Sequence, residues 1–452
     1  MGRRRMKDIM MKLCGGLILI GALVLACSQI KKPQWRELSL KPQFNAEGYW
    51  QTENVLFKKN ADNSISYYGT NSLYGPYLAA RVAHMRQDFD DAAEYYKIVM
   101  QKDPDNARIN RSVYLILSAL GQIDNAEPYA QKEIDNGEKK SLAPLVIALN
   151  NFTDGKYEQA RKQMSALNEP AYKTIINPLF NAWTYVGEND EKNAIASINK
   201  IADDPLLETM KLFHKALIYD YLGNKEKATE CFAQIVQNHP KDVTYRVLEI
   251  ITNFYVRNGD KEMAHKISGR YNDRGLLALL LKDIDKKIEN GSINTEAVIN
   301  SPRKGLAEAM FNIGTIFRAS TGGTEYAQIY IAASSFLNPD YDLSQIALAN
   351  VLEEIGLLKE ANRYYAKIPA DSGSYFIARL KMIENLNTLK DYQGAEDNLR
   401  LLLEDYPENT QLLTDLGTIM SNMNREKEAI KINPKKDKSL TFGITLSASP
   451  NL

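Results

Sequence analysis

A pattern of small and large residues returns along this chain every 34 residues, and that spacing constrains the fold more than anything else in its 452 residues. Phe89, Ile123 and Tyr157 share one position of the frame, and Ala92, Ala126 and Ala160 share a second. Tyr96, Ala130 and Met164 share a third. A unit of this length holds two antiparallel helices and their turns. Small residues belong where two helix backbones cross closely, and large apolar ones fill the space between. The fullest copy runs from about Thr209 to Asp242. Leu212, Ala216 and Tyr219 lie on its first helix, Gly223 in the turn, Ala228, Phe232 and Ile235 on its second helix, and Pro240 beyond. Gly223 suits a left-handed helix end. One such unit cannot bury its own apolar face, so successive units must stack into an all-α solenoid.

Further copies keep the frame with small insertions. Trp183, Gly187 and Ala194 belong to a fourth, and Tyr255, Gly259 and Ala264 to a sixth. The phase lapses from about Asn272 and resumes with Ile313-Gly314, Phe317, Ala327, Ile331 and Pro339. Ala349, Gly356, Ala361 and Tyr365 follow, then Tyr392, Ala395, Leu399 and Pro407, then Leu416-Gly417, Met420 and Ala429. The expected division is therefore residues 73–271 as a first block of about six repeats, 272–305 as an irregular helical connector, and 306–430 as a second block of about three and a half. The motif resembles the tetratricopeptide repeat (TPR), which implies a right-handed α-solenoid of TPR helix pairs. The stretches Leu73-Tyr74-Gly75-Pro76-Tyr77-Leu78-Ala79-Ala80-Arg81 and Tyr341-Asp342-Leu343 are similar to a family of exported bacterial TPR lipoproteins. That resemblance implies fold and export; the family carries no established biochemical activity.

The N-terminus reads as an address. Arg3, Arg4, Arg5, Lys7 and Lys12 precede an apolar run from Leu13 to Ala26, and Cys27 follows. The run is short for a bilayer span and suits a signal-peptide core over residues 1–26. Leu23-Val24-Leu25-Ala26-Cys27 resembles a lipobox, which implies lipidation of Cys27 and a lipid-anchored protein on the periplasmic or outer-membrane side of a bacterial envelope. Ordinary secretory cleavage after Ala26 and a retained anchor are the alternatives. Residues 27–72 show no sustained periodicity and read as a lipidated tether and cap. Without the leader the chain has 51 bases and 55 acids, so a nucleic-acid partner, which needs a basic surface, is not expected. Only Cys231 remains as a thiol in the body, which rules out an internal disulfide there and suits a small buried apolar residue.

Chemistry is sparse. His84, His214, His239 and His265 stand apart in sequence, in no ligand spacing, and read as core or surface residues. There is no phosphate loop, nucleophile elbow or EF-hand loop, so no catalytic residue, metal or cofactor is expected. Gly322-Gly323 reads as a turn and Glu353-Glu354 as a solvated face. A glycosyltransferase or protease would need a catalytic domain for which the repeats leave no room. The first helix of each repeat should line a groove. Tyr74, Tyr77, Arg81, His84, Arg108 and Arg111 then face it in the first two repeats, with Asn177, Asn181, Asp220 and Asn253 further on. Tyrosine and arginine are frequent interface anchors, and the arginines suit carboxylates on a partner. The expected function is a membrane-anchored scaffold that binds a protein or peptide, with no small-molecule substrate. The alternative is a structural part of an envelope machine for polysaccharide export or outer-membrane assembly. Pro434 should cut the last helix short, leaving residues 431–452 as a tail without helical pattern.

Overall fold

A computed structural model describes three strands between residues 49 and 69, then residues 74–432 apart from 86–88, 139–140, 168, 241–242, most of 272–295, 320–323 and 371. The signal segment, Cys27, Gly322-Gly323, Pro434 and the tail from 433 lie outside the described residues.

The strands were not expected. β1 (Tyr49–Thr52), β2 (Val55–Lys59) and β3 (Ile65–Gly69) form an antiparallel meander with Tyr49 opposite Lys58 and Val55 opposite Gly69. Four or five residues are too few for alternation to stand out. The visible signals were the β-branched and aromatic residues of Val55-Leu56-Phe57 and Ile65-Ser66-Tyr67-Tyr68 around a turn-forming Asp62-Asn63-Ser64. The region expected to be a tether therefore carries a small sheet.

Helices occupy the rest of the described chain, in ten pairs. They are α1 (Tyr74–Met85) with α2 (Phe89–Lys102), α3 (Ala107–Ala119) with α4 (Ile123–Asp135), and α5 (Ala143–Thr153) with α6 (Tyr157–Ser165). A π-helical turn, Tyr172–Ile176, leads into α7 (Asn177–Gly187), which pairs with α8 (Glu191–Ile198). Next come α9 (Pro205–Tyr221) with α10 (Lys225–Asn238), and α11 (Tyr245–Arg257) with α12 (Lys261–Gly269). After the connector stand α13 (Pro302–Arg318) with α14 (Thr324–Leu337), and α15 (Asp342–Glu354) with α16 (Leu358–Tyr365). The last pairs are α17 (Tyr375–Thr388) with α18 (Tyr392–Asp405), and α19 (Thr410–Asn422) with α20 (Glu426–Ile432).

Local chemistry sets many of these boundaries. Side chains of Asn106, Asp190, Asn224, Thr244, Asp260, Ser301 and Asp391 accept a backbone N–H three residues on, satisfying a donor that the helix leaves free. The turn inside a pair needs one left-handed residue. Gly121, Gly155, Gly223, Gly259 and Gly356 supply it in five pairs, and Asn189, Lys390 and Asn424 in three others. Gly187, expected as the turn glycine of the fourth repeat, is instead the last helical residue. A Cβ there would lie 2.2 Å from the Tyr157 ring, so it is small to let that ring in. The frame alanines Ala80, Ala92, Ala126, Ala160, Ala194, Ala216, Ala228 and Ala264 are fully buried.

The chain divides into two compact units, residues up to Ser344 and residues from Gln345. The expected division lay at the connector. The difference arises because the α13–α14 hairpin belongs to the first unit: α13 packs on α7 and α9, and α14 on α3, all of them first helices of their pairs. The hairpin also begins earlier than expected, at Pro302 behind the cap Ser301, with proline in the first turn where it displaces no hydrogen bond. In the second unit, α17 to α20 share a core around Ala395, Leu399, Leu402, Leu412 and Leu416.

Candidate partner-binding groove

The first helices of the first unit present an inner face, and most of it is already occupied. Gly305 of α13 lies against Trp183 of α7 so closely that a Cβ would fall 2.0 Å from the indole ring. Trp183 and His214 are fully buried. The Trp183 Nε1–H donates to His214 Nδ1 at 3.3 Å, and the Asn312 amide of α13 stands 3.4 Å from His214 Nε2. Burial pushes the His214 pKa down to about 3. One turn earlier on α13, Glu308 pairs with Arg246 of α11 at 2.9 Å, with only 1% and 11% of the two side chains exposed. Arg246 also reaches Glu249 at 2.6 Å and lies over the Tyr341 ring at 4.3 Å, while the Tyr341 hydroxyl donates to Glu308 at 3.2 Å. Burial works against the Arg246 cation, but the charge of Glu308, with Tyr341 and Glu249, outweighs it and keeps the guanidinium protonated. On α14 the Gln328 amide donates to the Ala119 carbonyl at 3.3 Å, and the Tyr330 hydroxyl to that of Tyr172 at 3.1 Å.

Sequence reasoning missed this arrangement. It read the histidines one by one, each as core or surface, whereas Trp183, Arg246, Glu308, Asn312 and Tyr341 come together only through the return of the hairpin. The one visible hint was the long lapse between the sixth and seventh repeats, since loops beyond about 12–15 residues inside compact domains are uncommon.

The residues expected to face a partner divide into three groups. Arg81 and Arg108 are exposed and available. Tyr77 is half-buried against the core, and the side chain of Tyr74 lies outside the described residues. His84 stands 3.5 Å from the Tyr96 hydroxyl; burial, then the nearby Arg81 charge, lower its pKa. Arg111 is engaged within its own repeat, at 2.5 Å from the buried Glu133 and 2.8 Å from Glu138. Asn177 donates to the Met164 and Leu167 carbonyls, at 3.0 and 3.1 Å, and so ties the π-helical turn to the preceding repeat. Asn181 turns its amide oxygen into the interior, where it has no hydrogen-bond partner. Asp220 pairs with Arg257, and Asn253 donates to the Glu296 carbonyl at 3.1 Å. The middle of the expected groove is thus committed to the fold, while repeat one keeps Arg81, Leu78 and Val82 exposed along α1.

Glu353, read from sequence as part of a solvated face, is mostly buried in the second unit. It accepts from Asn385 at 2.7 Å, and burial raises its pKa. Among the described residues no group of histidine, cysteine, aspartate and glutamate side chains could hold a metal ion.

Residues 212–242, within the fifth pair, match the family described as Tetratricopeptide repeat. No curated protein matches the chain. One solved structure, that of the APC/C hetero-tetramer Cut9–Hcn1, is 12% identical over 80% of this chain and 94% of that chain, at a TM-score of 0.25, too loose a superposition to carry an argument. The ten helix pairs and the matching repeat define the class: an α-solenoid containing tetratricopeptide repeats. Proteins of this class bind other proteins, and the fold is ordinarily non-catalytic.

Proposed function

We propose that this chain is a membrane-anchored TPR scaffold of the bacterial cell envelope, held by a lipid on Cys27, that binds a protein or peptide partner. The basic and apolar leader ending at Cys27 supports the anchor. The observation that carries the binding role is the face left open on repeat one. Leu78 and Val82, one turn apart on α1, are 60% and 40% exposed, with Arg81 exposed beside them and Arg108 on the next first helix. An apolar stripe flanked by arginines suits an amphipathic segment that carries carboxylates. Among the described residues no helix is long and apolar enough to cross a membrane.

Two measurements test this reading. Cys27→Ser should move the protein from the membrane fraction to the soluble fraction and abolish labelling by palmitate, since firm anchoring takes two acyl chains. A wild-type chain that takes up no label has no lipid anchor. Affinity capture with the mature chain should then recover a partner, and the capture should weaken on Arg81→Glu with Arg108→Glu. Recovery of one fixed assembly would favour the envelope-machine reading, and unchanged capture by the folded double variant would place the binding surface elsewhere.

A further inference from the structure

The α13–α14 hairpin follows the sixth repeat in sequence but does not continue the stack in the way the earlier repeats do. Earlier second helices pack on the next first helix: α2 on α3, α4 on α5, α6 on α7, α8 on α9. The principal contacts of α13 and α14 outside their own pair are instead with α3, α7 and α9, two to five repeats back. A connection of about thirty residues makes this return, where turns of three to seven residues join most other described helices.

The contact is built as recognition is built. Its apolar part is the close approach of Gly305 to Trp183, and Leu306, Ala307, Ala309, Met310 and Ile313 of α13 are buried in the core of the first unit. Its polar part is a set of directional pairs that fixes one register: Arg246 with Glu308, His214 with Asn312, Tyr172 with Tyr330. A buried ion pair often contributes no more stability than apolar residues of the same volume, and its best-attested use is to specify register.

We propose that the inner face of repeats four to six is a recognition groove for a helix that sets a small residue against Trp183 and an acidic residue against Arg246, and that α13 holds this groove in cis. The partner is an α-helical protein segment of that chemistry, and it binds by displacing the hairpin. The proposal rests on the scaffold reading for its biological sense, but it concerns a different surface from repeat one and is independent of the anchor.

A synthetic peptide of residues 302–318, fluorescently labelled, tests the groove in the full-length chain. Gly305→Leu in the protein drives a side chain into Trp183 and should evict α13. The evicted protein should bind the peptide, and wild type more weakly in proportion to how rarely α13 leaves the groove, about a hundredfold for an open fraction of about 1%. Arg246→Glu in the Gly305→Leu protein should abolish binding of the wild-type peptide, and Glu308→Arg in the peptide should restore it. That exchange of charges separates recognition from mere stickiness. Hydrogen exchange should show α7, α9 and α11 exposed in Gly305→Leu with helix content retained. If Gly305→Leu unfolds the protein, Glu308→Gln decides: a folded chain that takes up the peptide supports the proposal. A folded chain, opened by either variant, that ignores the peptide would overturn it, as would one whose inner face stays fully protected. A repeat-one partner retained throughout would leave the scaffold reading standing even then.

Discussion

His214 meets Trp183 and Asn312 on its two ring nitrogens, and that fixes its state. Nδ1 accepts from the indole, so the neutral ring carries its proton on Nε2; the Asn312 Nδ2 lies 3.4 Å from that nitrogen and donates to the Glu308 carbonyl at 2.9 Å. An imidazolium would set a second N–H against the indole N–H in a fully buried place. Its pKa of about 3 in the fold lies below the usual 6.5, so its contribution to stability is complete above pH 6.5 and is lost as pH falls toward 3. By pH 5 the loss should be about 2 kcal/mol, at 1.36 kcal/mol per pH unit. Urea unfolding at pH 7 and pH 5 should show this difference between wild type and His214→Gln; parallel pH dependence would mean that His214 stays solvated. Arg111 belongs to the same scale. Removing it leaves Glu133 charged and buried. Arg111→Ala should therefore destabilise by about 1–3 kcal/mol, below the 3–5 of a fully buried pair because Arg111 is itself partly open to water. Arg81→Glu, at an exposed position, should change stability by less than about 0.5 kcal/mol. Denaturation midpoints of the two single variants would check both, and they explain why Arg111 is a poor probe of partner binding.

At the scale of the helix pair the sequence was highly legible, because the signals lie within a few residues of one another. Ala228 is an example: its place in the frame says that two helices cross there, and it is fully buried on α10. Ala228→Arg should cost about 1–3 kcal/mol from overpacking and more from the buried charge. Since repeats support one another through neighbours, hydrogen exchange should rise first in α9 and α10 and in the pairs beside them. Faster exchange confined to the second unit would contradict this placement. Where the glycine signal was misread, packing explains it. Gly187 looks like a turn residue, but the turn belongs to Asn189, which takes the left-handed conformation two residues later. Asparagine tolerates that conformation better than most residues, so a glycine nearby was free to serve the Tyr157 contact. The β1–β3 meander was missed because its segments are too short to show a period of two, and three paired strands gain stability only together.

For the whole molecule, the two blocks read from sequence differ from the two compact units because the seventh pair joins the first unit. The last described helix is α20, whose Ala429 is 9% exposed and joins the small core of α17 to α20. Deletion after Ile432 should leave both the melting temperature and partner capture unchanged; a fall in either would make the last twenty residues a cap or a contact. The sequence alone determined that this chain is a stack of helix pairs. Each pair is specified by contacts three, four or about fifteen residues apart, and these leave a periodic trace. Of the arginines it read as facing a groove, Arg81 and Arg108 are exposed, while Arg111 is engaged with Glu133 and Glu138. Only the tertiary structure decided that most of the inner face is occupied. The residues of α13 that fill it, Gly305, Glu308 and Asn312, stand before the repeat frame resumes at Ile313, and nothing local there marks a helix that turns back rather than stacks. That choice depends on Trp183, His214 and Arg246 meeting Gly305, Asn312 and Glu308 across 62 to 122 residues of chain, a coincidence of shape and charge that exists only in three dimensions.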